Sequence, residues 1–211
     1  MLLFNSKFSG RRLLAGKYPS YGALPLLMGF VLFSSACQAR LDGSQSAKSA
    51  AVPTGKLHNT LWWQIAKQHH LDPYILYAVA LKESANDADA ALVKPWPWAL
   101  NKSGKSLMPA TQREAHALLK QSLDDGNRLI DVGLMQINLR WHGHRVSAPA
   151  QLLDPITNVQ IGAELLATAI QSAPHDLALG IGRYYSWKDE KAAVAYGQSV
   201  IAIADHVRQV I

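Results

Sequence analysis

LDPYILYAVALKESAN, at residues 71–86, is the segment around which the rest of the chain is organised. Asp72 suits the N-cap of a helix, and Pro73 suits the first helical position, where a missing N–H costs nothing. The apolar residues that follow have helical spacing. The segment therefore predicts a helix that begins at Pro73 and continues through Glu83.

Glu83 lies on the apolar face of this predicted helix. The apolar residues recur at the i, i+3 and i+4 positions, and continuing the same spacing leads to Glu83. Glutamate is seldom buried without a function, and apolar surroundings raise the pKa of a carboxyl group. A glutamic acid that stays protonated near neutral pH can act as a general acid. The helix alone leaves a second interpretation open, a solvated glutamate at a fraying helix end, and the rest of the chain favours the first.

The composition is that of a single globular domain. Hydrophobic residues make up 49% of the 211 residues and charged residues 17%, a balance far from that of a disordered chain. The formal net charge is +6, but four of the 21 basic residues lie among the first 20 positions, which leaves 17 against 15 acidic residues. The body has no basic run and no cationic helical stripe, so nucleic acid is not expected as a partner.

Residues 1–36 have the organisation of a secretory signal peptide. A basic segment is followed by an apolar run at residues 23–33 and then by small residues. An apolar run of this length is too short to span a bilayer comfortably as a permanent helix. We therefore expect export to the periplasm and a mature chain that begins at or just after Cys37.

Cys37 is the single cysteine, and it follows Ser-Ser-Ala. This sequence resembles a lipoprotein processing site but lacks the usual leucine three positions before the cysteine. Acylation of Cys37, which would anchor the protein to a membrane, and ordinary cleavage nearby both remain open. Residues 37–56, rich in Ser and Ala, predict a flexible linker, and residues 57–211 the folded domain.

The segment DVGLMQIN, at residues 131–138, is the second one that carries functional information. In an extended strand, Gln136 and Asn138 project to the same side because they are two positions apart. Two amides on one face suit the hydroxyl and acetamido groups of a saccharide. The alternative is a half-buried strand whose side-chain amides bond the backbone.

Two other motifs also have more than one interpretation. Trp96 and Trp98 either pack in the core or line a saccharide groove, where a flat aromatic face stacks on a sugar ring. His142 and His144 have a spacing that zinc accepts, but a catalytic zinc site needs a third protein ligand and the sequence nominates none. We therefore expect neither a metal ion nor another cofactor.

The remaining pattern predicts an α+β domain that is predominantly helical. Further helices are expected at residues 61–69, 111–123, 155–173, 176–184 and 190–211. One β-hairpin is expected, with its turn at residues 102–104. Glu83 and the residues 131–138 then belong to the same domain.

Three motifs together resemble a known family. They are Glu83-Ser84 at the end of an apolar helix, the hexapeptide Gly-Leu-Met-Gln-Ile-Asn at residues 133–138, and Gly-Arg-Tyr at residues 182–184. In this order they resemble the lytic transglycosylases of the soluble type, which have a lysozyme-like fold. The resemblance extends over roughly residues 57–208. The Pro-Trp-Pro-Trp insertion looks like that of specialised members that serve a conjugation or secretion machine.

The resemblance implies that peptidoglycan glycan strands are the substrate and that no cofactor is needed. The implied reaction is a lyase cleavage between N-acetylmuramic acid and N-acetylglucosamine that gives a 1,6-anhydromuramoyl product. Glu83 is then the sole catalytic acid and base. The implied substrate-binding residues are Ser84, Met135, Gln136, Asn138 and Tyr184.

The sequence departs from the family pattern beside Tyr184. This residue matches the tyrosine of the family motif Ala-Tyr-Asn-Ala-Gly, but Tyr185 and Ser186 stand where Asn and Ala are usual. Contacts that the asparagine normally makes are therefore not expected here.

Two alternatives to a lytic transglycosylase remain open. A hydrolytic muramidase on the same fold would need a residue that assists water, and Asp131 is the candidate. A non-catalytic glycan-binding assembly factor of a transfer machine is the other. Glu83-Ser84 argues against the second, because a pure binding protein has no need of a carboxyl group in an apolar setting.

Overall fold

The computed structural model describes residues 57–86 and 93–211. The predicted signal peptide, the predicted linker and Cys37 lie outside the described residues, as do residues 87–92. Within the described ranges, no helix combines the length and the apolar character that a membrane span requires.

Seven α-helices lie within residues 57–86 and 93–211. They are α1 Leu61–Gln68, α2 Pro73–Ser84, α3 Gln112–Asp124, α4 Leu139–His142, α5 Pro155–Gln171, α6 Leu177–Gly182 and α7 Glu190–Val210. Two short 3-10 helices, Gly143–Arg145 and Pro149–Leu153, follow α4. The helices predicted from the sequence are confirmed, whereas α4 and the 3-10 helices were not predicted.

The helices begin where the sequence predicts because their caps form. The carboxylate of Asp72 accepts a 2.8 Å hydrogen bond from the backbone N–H of Tyr74, and Pro73 occupies the first position of α2. Thr111 and Asp154 cap α3 and α5 in the same way. Each cap satisfies a backbone donor that the first turn of a helix would otherwise leave without a partner.

The strands form two small antiparallel sheets. β1, Ala85–Asn86, pairs with β2, Lys94–Pro95. The second sheet has the order β4-β3-β5-β6, and its strands are β3 Leu100–Lys102, β4 Lys105–Leu107, β5 Ile130–Val132 and β6 Ile137–Asn138. The predicted hairpin is β3–β4. The prediction of a mostly helical α+β domain is therefore confirmed.

Residues 131–138 do not form one extended strand, so that prediction is wrong. β5 ends at Val132, the chain reverses through a turn at residues 133–136, and β6 returns antiparallel to β5. Gly133 has a φ of 77° and Gln136 a φ of 46°, a backbone conformation that reverses the chain direction. Gln136 and Asn138 therefore do not project from one face of a single strand.

The core surrounds α2. Val79 and Ala80 are fully buried in this helix, which contacts both α1 and α7. The close packing of α6 and α7 depends on two glycines. A Cβ on Gly182 would overlap the carbonyl of Ala193, and a Cβ on Gly197 would overlap a backbone carbonyl of α6. This packing fixes the position of α7 beside the last turn of α2.

Candidate active site

Glu83 lies in the last turn of α2 with its side chain in the core. It is 7% exposed. The hydroxyl of Tyr196, on α7, donates a 2.7 Å hydrogen bond to Glu83 Oε1. The expectation that this carboxyl group lies on the buried face of the helix is confirmed, and the interpretation as a solvated glutamate is wrong.

Tyr196 was not predicted as a site residue from the sequence. It is 7% exposed and joins two helices that are far apart in the chain. The available signal was its place between Ala193 and Val200 on the buried face of α7. A tyrosine at such a position normally needs a partner for its hydroxyl when it is buried, and here the partner is the carboxyl group of Glu83.

Ser84 connects the end of α2 to the turn at residues 133–136. Its side chain is 1% exposed, and its hydroxyl oxygen lies 2.8 Å from the carbonyl oxygen of Leu134 and 3.0 Å from that of Ala80. The hydroxyl has a single proton for these two acceptors. The structure thus brings the turn next to Glu83, and a contact between Ser84 and substrate stays a prediction.

Asn158, on α5, fixes the shape of this turn. Its side-chain N–H groups donate to the carbonyls of Val132 and Leu152, each at 2.8 Å, and its oxygen accepts a 2.8 Å hydrogen bond from the N–H of Met135. Asn158 is 1% exposed, so these bonds satisfy a fully buried amide. This residue was not predicted from the sequence, although a polar side chain four positions before Gly162 on the buried face of α5 was a signal.

Met135 has a side chain that is fully buried against α5. A Cβ on Gly162 would lie 2.5 Å from Met135 Cγ, so only a glycine leaves room for this methionine. The Met135 carbonyl accepts a 2.7 Å hydrogen bond from the hydroxyl of Tyr184, which is 3% exposed. The structure therefore brings Tyr184 and Met135 together, but it places both side chains in the core.

Gln136 uses its side-chain amide within the protein. The amide donates to the carbonyls of Ala99, at 3.1 Å, and Gly133, at 2.9 Å. The residue is 5% exposed. The alternative in which this amide bonds the backbone is confirmed. Its oxygen accepts no hydrogen bond from the described part of the chain, so an acceptor remains for a ligand.

Asn138 and Asp131 form a buried pair in the second sheet. Asn138 donates a 2.8 Å hydrogen bond to Asp131 Oδ1, and its own oxygen caps α4 by accepting from the N–H of Arg140. Asn138 is 5% exposed and Asp131 is 2% exposed. Both residues have structural partners, and a saccharide contact of Asn138 stays a prediction.

Trp96 and Trp98 lie in the Pro-Trp-Pro-Trp insertion at residues 95–98. Their rings form an edge-to-face pair with centroids 5.2 Å apart. The backbone N–H of Trp96 donates to the Ser84 carbonyl at 2.9 Å, and its indole N–H donates to the Pro109 carbonyl at 2.8 Å. Both rings are half-buried. The two rings pack against each other, which confirms the packing interpretation. Stacking of a sugar ring on either tryptophan stays a prediction.

The two histidines of the possible zinc motif differ in their surroundings. His142 is buried at the end of α4, whereas His144 is exposed. Among the residues that the structure describes, no three His, Cys, Asp or Glu side chains lie close enough together to hold a metal ion.

The comparison with protein families identifies the domain. A family model described as Transglycosylase SLT domain matches residues 60–210. Comparisons with curated proteins and with solved structures gave no significant match. The matched range contains Glu83, Tyr196 and all of the turn at residues 133–136, and the family supports lytic transglycosylase activity on peptidoglycan. Because the match covers more than half of the chain, the protein belongs to the family of transglycosylase SLT domains, which have a lysozyme-like fold.

Proposed function

We propose that the protein is a peptidoglycan lytic transglycosylase in which Glu83 is the only catalytic acid and base. The observation that carries the proposal is the buried carboxyl group of Glu83, held by the hydroxyl of Tyr196 inside a domain that matches the family. The bond cleaved joins N-acetylmuramic acid to N-acetylglucosamine, and the product is a 1,6-anhydromuramoyl end.

The first step is protonation of the glycosidic oxygen by Glu83. The bond between this oxygen and C1 of the muramoyl ring then breaks, with an oxocarbenium-like centre developing at C1. The Tyr196 hydroxyl binds Glu83 Oε1 at 2.7 Å and so limits rotation of the carboxyl group. A fixed carboxyl group meets the leaving oxygen without a further loss of side-chain freedom.

The second step returns the proton to Glu83. The carboxylate accepts the proton of the C6 hydroxyl of the same muramoyl ring, and the oxygen of that hydroxyl bonds to C1. The enzyme is then protonated again and ready for another cycle. A hydroxyl on the same ring needs no second carboxylate for its activation, because proximity supplies a high effective concentration.

The surroundings of Asp131 favour this intramolecular attack over attack by water. Asp131 is the residue that a hydrolytic muramidase would need, but it is 2% exposed and accepts a hydrogen bond from Asn138 in the second sheet. A carboxylate engaged in this way is poorly placed to activate a water molecule. We therefore favour the anhydro product over a reducing end.

We also propose that the protein is exported and opens the wall locally for a conjugation or secretion machine. The signal-like residues 1–36 support export, and the insertion with Trp96 and Trp98 supports the specialised role. The partners are then glycan strands and components of that machine. A membrane takes part only if Cys37 is acylated.

Mass spectrometry of the muropeptides released from purified sacculi tests the proposed reaction. Anhydro ends are the expected result. Reducing ends would identify a hydrolytic muramidase, and the absence of released muropeptides would favour a glycan-binding assembly factor.

A further inference from the structure

A second tyrosine contacts the residue that holds Glu83. The ring of Tyr185, just after α6, lies parallel to the ring of Tyr196, with centroids 5.2 Å apart and an angle of 5° between the planes. This is the offset-stacked arrangement that aromatic pairs prefer. The Tyr185 hydroxyl donates no hydrogen bond within the described part of the chain, so the contact is made by the ring.

The Tyr196 ring is also held from the side of α2. The ammonium group of Lys82 lies 5.2 Å from the centroid of the Tyr196 ring. It is kept there by a 2.9 Å hydrogen bond from Nζ to the hydroxyl of Ser199, which is one turn further along α7. A cation at this distance is attracted by the ring, so Tyr185 and Lys82 together restrict the phenol.

The end of α6 therefore contacts two parts of the site through two consecutive residues. Tyr184 donates a hydrogen bond to the carbonyl of Met135, in the turn at residues 133–136. Tyr185 stacks on Tyr196, whose hydroxyl binds Glu83. A single side chain, that of Tyr196, therefore lies between Tyr185 and the carboxyl group of Glu83.

We propose that Tyr185 is a positioning residue, which sets the orientation of the Glu83 carboxyl group through the ring of Tyr196. The inference rests on the proposed role of Glu83 as the catalytic acid. The aromatic face is the part of Tyr185 that acts, because it stops the Tyr196 phenol from rotating away from Oε1. A displacement of about 1 Å in a reacting group can lower the rate up to about a hundredfold.

Two substitutions of Tyr185 separate its ring from its hydroxyl. With soluble glycan strands as substrate, Tyr185→Leu is expected to lower kcat about tenfold and to leave KM within about twofold, because positioning acts on the chemical step. Tyr185→Phe keeps the stacked ring and is expected to keep kcat within about twofold. The inference would be overturned if kcat fell equally in the two variants or did not fall in Tyr185→Leu.

Tyr77→Leu is the matched control. Tyr77 packs edge-to-face on Trp62 of α1 with centroids 5.1 Å apart, a ring pair of similar spacing that does not include Tyr196. Its loss is expected to lower the thermal unfolding temperature and to leave kcat within about twofold of the wild type. A tenfold fall in kcat for this variant would mean that loss of any aromatic pair impairs the enzyme, which contradicts a specific role for Tyr185.

A double-mutant cycle tests whether Tyr185 acts through Tyr196. Tyr196→Phe removes the hydroxyl that binds Glu83, and it is expected to lower kcat by itself. Adding Tyr185→Leu to Tyr196→Phe should then change kcat by less than about twofold, because the link to Glu83 is already broken. Full additivity of the two losses would show that Tyr185 acts by another route. If Tyr185→Leu does not fold, Tyr185→Asn replaces it in the same cycle.

The outcomes distinguish this inference from the proposed function. A wild-type enzyme that releases no muropeptides, or a Glu83→Gln variant that remains active, contradicts the proposed function. The inference about Tyr185 alone is contradicted if the wild type is active, the Glu83→Gln variant is inactive and the Tyr185 variants keep the kcat of the wild type.

Discussion

At the scale of single residues, one buried asparagine determines the shape of the turn beside Glu83. The amide of Asn158 binds the carbonyl of Val132, where β5 ends, and the N–H of Met135, within the turn. These bonds connect α5 to both sides of the chain reversal. The carbonyl of Met135 accepts a hydrogen bond from the hydroxyl of Tyr184. The position of the turn relative to α6 therefore also depends on the Asn158 amide.

Asn158→Leu is expected to destabilise the protein strongly. The substitution leaves buried backbone groups without a partner, and each such group costs about 1–3 kcal/mol, so we expect a loss of roughly 3 kcal/mol in the free energy of unfolding. Urea unfolding followed by circular dichroism measures this loss. Gln160→Leu, at an exposed position of the same helix, is the control and should stay within about 0.5 kcal/mol of the wild type. A loss below about 1 kcal/mol for Asn158→Leu would contradict the role of the amide.

Glu83 could be predicted from the sequence, whereas the pairing of Tyr196 with Glu83 could not, for a physical reason. A carboxyl group on an apolar face is costly, so the helical spacing makes Glu83 a candidate, and the motifs in the rest of the chain favour it over a solvated glutamate. A tyrosine on a buried face is common, and its hydrogen-bond partner here lies 113 positions away in the chain. The contact depends on how α7 packs against α2, which no local pattern of residues contains.

At the scale of elements, the contact between α6 and α7 depends on the absence of two side chains. Gly182 faces the carbonyl of Ala193, and Gly197 faces the carbonyl of Ala178. Gly197 directly follows Tyr196. The distance between α6 and α7 therefore also affects the position of the Tyr196 hydroxyl relative to Glu83 on α2. The glycines thus connect helix packing to the carboxyl group of Glu83.

Gly197→Ala is expected to lower both stability and activity. Alanine is favoured over glycine in a helix by about 1 kcal/mol, but its Cβ would overlap the carbonyl of Ala178, and overpacking of this kind costs about 1–3 kcal/mol. Because the Cβ would overlap backbone atoms, we expect the cost of overpacking to exceed the gain in helix propensity. Thermal unfolding and kcat measure the two losses. Gln198→Ala, exposed on the same helix, is the control, and a stabilised Gly197→Ala variant would contradict the proposed packing.

Long elements were predicted better than short ones because they carry more local information. The start of α2 follows from Asp72 and Pro73, whose cap and restricted backbone act within one turn. The turn at residues 133–136 was missed because its alternation of residues fits a strand equally well. Only Gly133 indicated a reversal, and some of the hydrogen bonds that stabilise the turn come from Asn158, which is distant in the sequence. The pairing of β1 with β2 involves two residues per strand, too few for a sequence pattern.

At the scale of the whole molecule, the candidate site combines parts of the domain that are distant in sequence. Glu83 comes from α2, the adjoining turn from residues 133–136, and Tyr196 from α7. An ion pair of 2.7 Å between Asp72 and Arg208 also connects the beginning of α2 to the end of α7. Both of its side chains are partly exposed, so it contributes about 1 kcal/mol or less. The site therefore depends mainly on the buried contacts.

Processing of the N-terminal segment is a prediction from the sequence. Because a short apolar run at residues 23–33 is followed by small residues, the exported protein is expected to begin at or just after Cys37. N-terminal sequencing of protein from the cell envelope tests this expectation, and a chain that still begins at Met1 would contradict it. Incorporation of a labelled fatty acid that is lost in Cys37→Ser would establish acylation.

The most direct test of the account is the activity of Glu83→Gln on purified sacculi. The amide keeps the shape of the side chain and can still accept a hydrogen bond from Tyr196, but it cannot protonate the glycosidic oxygen. Positioned proton transfer contributes about 10²–10⁴ in rate, so release of anhydromuropeptides should fall at least about a hundredfold. Thermal unfolding and glycan binding should be nearly unchanged, and Glu164→Gln, at an exposed position, should remain active. Near-normal release of anhydromuropeptides by Glu83→Gln would contradict the central claim.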